Sequence, residues 1–342
     1  MLVLRKPYLV FIGNAPSIVN AKTAFGVVDW CPDDVLGELA FPGTAVSTGK
    51  PALDIAAAAA AGARSLLIGI APVGGKLPAE WLPSLLEAVH AGLDIVSGLH
   101  TRLADIPELV AAARSAGVAL HDVRHGAWPR VVATGRKRSG RRVLTVGTDC
   151  ALGKKYTALA LTRELHARGV AASFRATGQT GVMIAGSGVA IDAVVSDFVA
   201  GVAEHLSPDN EPDHWDVIEG QGSLFHPAYA GVSLGLLHGS QPDALVLCHH
   251  AGRQHLDGFP AFPTPSLASA IAAYLQAARL TNASVRFVGI SINSSSLGES
   301  AWQAYRERIE AELGLPVVDP LRGGAARLAA ALHQPKECLH VA

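Results

Sequence analysis

Cysteine is sparse and scattered: Cys31, Cys150, Cys248 and Cys338 are the four in 342 residues, and no two form a Cys-x-x-Cys pair. Neither a disulfide framework nor a zinc site is indicated by such spacing. Charge is scarce as well, with 17% charged residues and a net charge of −1, which argues against a general nucleic-acid binder. Although 49% of residues are apolar, no run approaches the roughly 20 residues of a membrane span. Met1 to Pro7 lacks the apolar segment and cleavage site of a secretory signal. Much of the positive mean hydropathy comes from alanine, as in Ala56 to Ala61, which reads as a packed helix. A dinucleotide fingerprint is also missing. The first apolar run is followed by Gly13-Asn14-Ala15-Pro16, so NAD binding there is not expected. What remains is a chain with a large core, without disorder, consistent with a cytoplasmic enzyme.

β-rich apolar runs alternate with Ala/Leu-rich helical runs, the pattern of parallel α/β architecture. Early strands are expected at Tyr8 to Ile12, Ser65 to Ile70, Leu93 to Val96 and Val118 to Val123, with helices at Leu53 to Ala61, Glu80 to Ala91 and Ile106 to Ala116. The pattern breaks between about Arg124 and Arg142, where Pro129, Gly135, Gly140 and the basic cluster Arg136, Lys137, Arg138, Arg141 and Arg142 lie. A boundary here gives a Rossmann-like domain over 1–130 and a second domain over 131–342. The cluster reads as a solvated linker, or as an attractor for a polyanionic ligand. Beyond it, strands are expected at Val143 to Val146, Ala171 to Arg175, Asp216 to Glu219, Ala244 to Cys248 and Phe287 to Ile292. Helices are expected at Tyr156 to His166, Leu267 to Arg279, Ala301 to Glu312 and Gly324 to Leu332.

Val143 to Thr157 reads as strand, glycine-flanked turn and helix start, the plan of a phosphate-binding loop. Backbone N–H groups and the helix N-terminus surround a phosphate, and Lys154 neutralises it. Gly147, Thr148, Asp149, Cys150, Gly153, Lys154, Lys155 and Thr157 are therefore the candidate binding residues. One part is missing: the hydroxyl that normally follows the lysine and ligates Mg²⁺ is replaced by Lys155. The loop can hold phosphate but is poorly equipped for Mg-ATP hydrolysis, and no metal is expected. Cys150 reads as a small residue in a crowded turn, with a nucleophile as the sharper alternative.

Polar groups collect at other strand ends, where ligands of open α/β sheets sit. Arg175 to Gly181 offers an arginine, two threonines and close-approach glycines; Arg175, Thr177 and Gln179 are candidate substrate ligands. Glu219 ends an apolar strand and needs a partner there; with Asp149 it could hold a metal, orient an amine or act as a base. His226 and the pair His249-His250 are positioned for acid–base work. Arg253 and Arg322 are candidate carboxylate clamps, and Asn293 and Asp319 share their loops.

The loop beginning Gly-Thr-Asp resembles that of dethiobiotin synthetase, whose aspartate, matched by Asp149, helps hold magnesium. Glu219-Gly220-Gln221-Gly222 likewise resembles that enzyme's Glu-Gly-Ala-Gly. The full set is more specific: Thr134 to Gly140, Gly147 to Lys154, Arg175 to Gly181 and Glu219 to Pro227, with Gly98-Leu99-His100 and Asp319 to Arg322. Together these motifs resemble the bacterial D-glutamate N-acetyltransferases, a P-loop family long catalogued as a domain of unknown function, over nearly the whole chain. The resemblance implies a Rossmann-like domain followed by a P-loop NTPase-like domain, with acetyl transfer from acetyl-CoA to D-glutamate. It implies a cytoplasmic homo-oligomer acting on small molecules, not on nucleic acid or membrane. Within it, Glu219 or His226 would be the base, with Asp149 beside them. An Mg-ATP-dependent ligase or carboxylase of the dethiobiotin-synthetase type and a non-catalytic nucleotide-binding protein are the alternatives.

Overall fold

A computed structural model of the chain describes residues 2–18, 20–72, 75–126 and 128–333; Cys338 lies outside them. Two compact units emerge, one built from residues up to Trp128 together with Gly178–Ala193, the other from Pro129–Thr177 and residues from Val194 onward. Both are α/β with parallel main sheets, as the alternating pattern predicts. No helix among the described residues is long and apolar enough to cross a membrane.

The first unit holds five parallel strands: β1 (Tyr8–Gly13), β2 (Val35–Ala40), β3 (Ser65–Ile68), β4 (Asp94–Ser97) and β5 (Leu120–Asp122). Their order, β2-β1-β3-β4-β5, is that of the doubly wound flavodoxin-like sheet. β1 is buried along its whole length, as a strand covered on both faces must be. The Gly178–Ala193 excursion adds the helix Gln179–Ala185 and a two-residue antiparallel ladder between Leu2–Val3 and Ser187–Gly188. Tyr8 donates its hydroxyl to Met183 O at 3.0 Å and fastens this excursion to β1. The second domain expected from the sequence is thus not continuous.

Six parallel strands form the second unit: β6 (Arg141–Gly147), β7 (Ala172–Arg175), β8 (Trp215–Ile218), β9 (Ala244–His250), β10 (Arg286–Asn293) and β11 (Val317–Val318). Their order is β11-β10-β9-β6-β8-β7, which puts β6 at the centre with its carboxyl end between those of β8 and β9. Leu144, Ile218, Leu245, Leu247 and Ile290 pack with Tyr274, Trp302 and Leu237 from the covering helices.

The basic cluster divides: Arg136, Lys137 and Arg141 are exposed, as in a solvated segment, whereas two arginines turn inward. Arg138 and Arg142 are buried at the amino end of this sheet. Arg138 donates to Ser207 O at 2.8 Å, Gly239 O at 2.8 Å and Ser240 O at 3.1 Å. Arg142 donates to Ser139 O at 3.0 Å and Pro208 O at 2.9 Å. These arginines satisfy carbonyls where the helices Val199–Leu206 and Ala230–Ser240 end, the end of a helix that favours a cation.

Candidate active site

β6 delivers Gly147 to the centre of the sheet's carboxyl edge, and residues 148–153 turn into the helix Lys154–Ala167. Gly153 caps that helix with φ 102°, a left-handed conformation that glycine adopts without strain. Gly220, following Glu219 at the end of β8, approaches β6 so closely that an added Cβ would lie 1.6 Å from Thr145 O. Its N–H donates to Thr145 Oγ1 at 2.9 Å. From the helix Leu267–Ala278 comes Tyr274, whose hydroxyl donates to Gly147 O at 2.9 Å and accepts from Leu224 N–H at 3.1 Å.

Within the loop, Lys154 is buried and donates to Asp149 O at 2.8 Å. Burial lowers its pKa, opposed by the fields of Cys248, Cys150, Asp149 and Glu219. The Asp149 carboxylate is fully buried. Its Oδ1 accepts the Cys150 N–H at 2.6 Å, and its Oδ2 accepts Arg253 Nη1 and the Asp257 N–H, both at 2.8 Å. Arg253 Nη1 also donates to Cys150 O at 2.9 Å. Arg253 is therefore brought to the loop. Asp257 comes with it on the turn between His255–Leu256 and Phe259–Pro263.

Thr148 and His249 form a buried pair, Oγ1 to Nδ1 at 2.9 Å. Burial, then the neighbouring His250 and Arg253, pushes the His249 pKa down to about 4. Its ring is neutral at neutral pH. Thr157, expected among the phosphate ligands, instead donates to Gly153 O at 3.0 Å and shares a hydrogen with Ser291 at 2.8 Å. Lys155 lies over the Tyr156 ring at 4.8 Å. The Cys150 thiol is pushed up by burial, against the lowering fields of Lys154 and Arg253, which disfavours a resting thiolate.

Glu219 is 4% exposed. Its Oε2 accepts the Thr177 N–H at 3.0 Å, its carbonyl accepts the Thr177 hydroxyl at 2.5 Å, and Gln221 Nε2 donates to that hydroxyl at 3.2 Å. Glu219 and Thr177 thus form one unit spanning the ends of β7 and β8. His226 is 2% exposed. It stacks on Tyr229 at 4.5 Å and meets the edge of Phe259 at 4.8 Å. Its Nδ1 accepts the Ala228 N–H at 3.2 Å. That acceptor role puts the neutral ring's proton on Nε2 and occupies the Nδ1 lone pair.

Three expected ligands go elsewhere. Arg175 turns to Asp216, Nε to Oδ1 at 2.7 Å. Asp216 sits two residues before the carboxyl end of β8, so an apolar-strand carboxylate captures this arginine instead of the loop. Arg322 donates to Ser294 O at 3.1 Å and Leu297 O at 2.6 Å, and pairs with Glu299 at 3.3 Å; with Asp319 it ties the 294–299 turn. Gln179 belongs to the first unit, where its side chain meets Arg124. His250 bonds its neighbour Ala251 O at 2.8 Å. The sequence reading missed Thr145, Tyr274, Ser291 and Asp257. Only Asp257, in a Gly-containing loop after Arg253, carried a signal there.

A family model described as a domain of unknown function, the DUF1611 P-loop domain, matches residues 131–329. The chain belongs to the DUF1611 family. A second model from that family, its Rossmann-like N-terminal domain, matches residues 42–126. Among curated DUF1611 relatives, the D-glutamate N-acetyltransferase of Tritonibacter scottomollicae is 49% identical over 96% of this chain and 99% of its own length. The D-glutamate N-acetyltransferase of a Pseudoalteromonas species is 47% identical over the same shares. A crystal structure of a DUF1611 family protein from Anabaena variabilis is 36% identical, with a TM-score of 0.83, covering 97% of this chain and all of that one. The family expected from the motifs is the one found.

Proposed function

We propose that this DUF1611 protein is an acyltransferase that moves the acetyl group of acetyl-CoA to the amino group of D-glutamate. The observation that carries the reading is the near full-length likeness, at 49% and 47% identity, to two relatives named for that reaction. The site chemistry supports it. Coenzyme A offers phosphates to the loop N–H groups and to Lys154, which can exchange its bond to Asp149 O for a phosphate oxygen. Mg²⁺, which the ligase-type alternative requires, would have to share Asp149 with the Arg253 guanidinium and find no hydroxyl at position 155. Acetyl transfer needs no metal.

In the proposed step the uncharged amine attacks the thioester carbonyl, and Glu219 accepts the amine proton as the C–N bond forms. The tetrahedral intermediate then expels the coenzyme A thiolate, which is reprotonated, and N-acetyl-D-glutamate is left. Glu219 is preferred to His226 because Thr177 orients its carboxylate, whereas the His226 Nδ1 already holds Ala228. Arg253 bonds Asp149 and Cys150 through Nη1, and the other edge of its guanidinium suits an acceptor carboxylate. The deciding experiment mixes purified protein with acetyl-CoA and a panel of D- and L-amino acids, with free thiol as the readout. Thiol release with D-glutamate foremost is expected, unaffected by EDTA. Equal turnover of L- and D-glutamate would sink the acceptor assignment, and activity that vanishes with EDTA and returns with Mg²⁺ would favour the ligase-type reading.

A further inference from the structure

Asp149, Cys150 and His226 bring a carboxylate oxygen, a sulfur and a ring nitrogen within 4.8 Å of one another. The reaction proposed above leaves this grouping unexplained, since it uses Asp149 only to hold Arg253 and uses neither the thiol nor the imidazole. We propose that the three residues bind a thiophilic divalent cation of the zinc class, and that the bound ion locks the phosphate loop. The locking half rests on the loop's role in binding acetyl-CoA; the metal site itself does not.

One oxygen, one sulfur and one nitrogen form a donor set that zinc accepts at about 2.0–2.3 Å, leaving a fourth position for water. Bonds of that length place the donor atoms roughly 3–4 Å apart, and the three atoms already lie within 4.8 Å of one another, so closing the site asks for a small adjustment only. Two of the three ligands are already oriented by their neighbours. Arg253 and the Asp257 N–H fix the Asp149 carboxylate through Oδ2, while Oδ1 accepts the Cys150 N–H. Tyr229 and Phe259 clamp the His226 ring. Held ligands are the usual condition for a metal site, since outer contacts set ligand orientation.

The same contacts set the selectivity. Arg253 beside Asp149 opposes any cation, so an ion that gains only from oxygen, such as Mg²⁺, is disfavoured. A thiophilic ion recovers that loss through sulfur and imidazole. Binding displaces the Cys150 thiol proton and breaks the Ala228 N–H contact to His226 Nδ1, whichever ring nitrogen ligates. Once bound, the ion joins loop residues 149 and 150 to the segment after β8 and places a filled coordination sphere beside the N–H groups that a phosphate needs.

Co²⁺ titration of the full-length chain is the test. One equivalent should produce a sulfur-to-cobalt charge-transfer band together with the visible bands of tetrahedral coordination. Zn²⁺ should erase them, and a large excess of Mg²⁺ should not. Cys150→Ser should lose the charge-transfer band and Cys31→Ser should keep it, with circular dichroism confirming the fold of each. His226→Asn should bind about 10–100-fold more weakly, the scale on which even outer-shell partners matter. No such band in the wild type, or an unchanged band in Cys150→Ser, overturns the site. Zn²⁺ should also inhibit acetyl transfer competitively with acetyl-CoA, and cobalt binding without such inhibition overturns the locking. Should no acetyl transfer be found at all, the proposed function falls while the cobalt spectrum still decides the site.

Discussion

The two ends of the six-stranded sheet both bury cations, and they do it differently. At the amino end, Arg138 and Arg142 send donors into carbonyls that close two helices, so each arginine completes the fold. At the carboxyl end, Lys154 is equally buried, yet its recorded bond is to the carbonyl of its own loop. Glu219 accepts a backbone N–H from the next strand end, and Arg253 steadies a turn through one nitrogen. Burial of charge alone does not mark a site. What separates the two ends is whether the partners are structural groups the fold cannot release or loop groups a ligand can replace.

The contrast is sharpest for rate. Glu219→Gln keeps the acceptor for Thr177 N–H but removes the base, and turnover should fall by about 10²–10⁴ with acetyl-CoA affinity unchanged by calorimetry. Retained turnover there, with activity abolished in His226→Asn, would transfer the role to the histidine. Arg142→Leu should act oppositely. Stranding the carbonyls of Ser139, Ser207 and Pro208 should cost about 3–5 kcal/mol of stability in denaturant unfolding, while the folded fraction still binds acetyl-CoA normally. A loss of affinity without loss of stability would erase the distinction between the ends.

His249 supplies a pH-dependent test. Its folded pKa is lowered from 6.5 to about 4, so between those values the unfolded chain takes a proton that the native ring refuses. Stability should therefore fall as pH drops from 6.5 towards 4, by at most about 3 kcal/mol, and be level in this respect above 6.5. His249→Gln should flatten that part of the profile in unfolding experiments run at several pH values. An equal slope in the variant would assign the effect to other groups. Smallest is Lys154→Ala, which removes a charge-assisted contact of about 1.5–3 kcal/mol. Acetyl-CoA affinity should drop about 10- to 150-fold in a variant whose fold circular dichroism confirms. Unchanged affinity in calorimetry would remove coenzyme A from the loop.

Much of this was legible in the chain before folding. The strands of the second unit were readable because parallel strands buried on both faces are continuous apolar runs, and Gly147 to Lys154 declared itself because a phosphate loop is local. Four helices were not readable: Lys22–Trp30, Gln179–Ala185, Val199–Leu206 and Ala230–Ser240. Val199–Leu206 and Ala230–Ser240 carry Gly201, Gly235 and Gly239, which read as loop. An added Cβ on Gly239 would lie 2.1 Å from Ala200 O and one on Gly235 would meet Val199, so these two answer a helix-on-helix contact, while Gly201 faces the Val131 backbone; no local pattern reveals either. β2 escaped because Gly37 and Glu38 interrupt its apolar run. The misplaced arginines share one cause. Arg175 and Arg322 stand at loop positions where a ligand clamp is plausible, and only tertiary pairing discloses that Asp216 and the 294–299 turn already hold them. Tyr274 was invisible for the same reason, its partner Gly147 being 127 residues away.

That tyrosine works as a pin through two hinges. Its single hydroxyl grips the residue where the phosphate loop starts and the backbone N–H of Leu224, two residues before His226. A movement of either segment therefore strains the other through a side chain that the core holds rigid. Two stretches of sequence far apart in the chain thus take their positions from one shared atom.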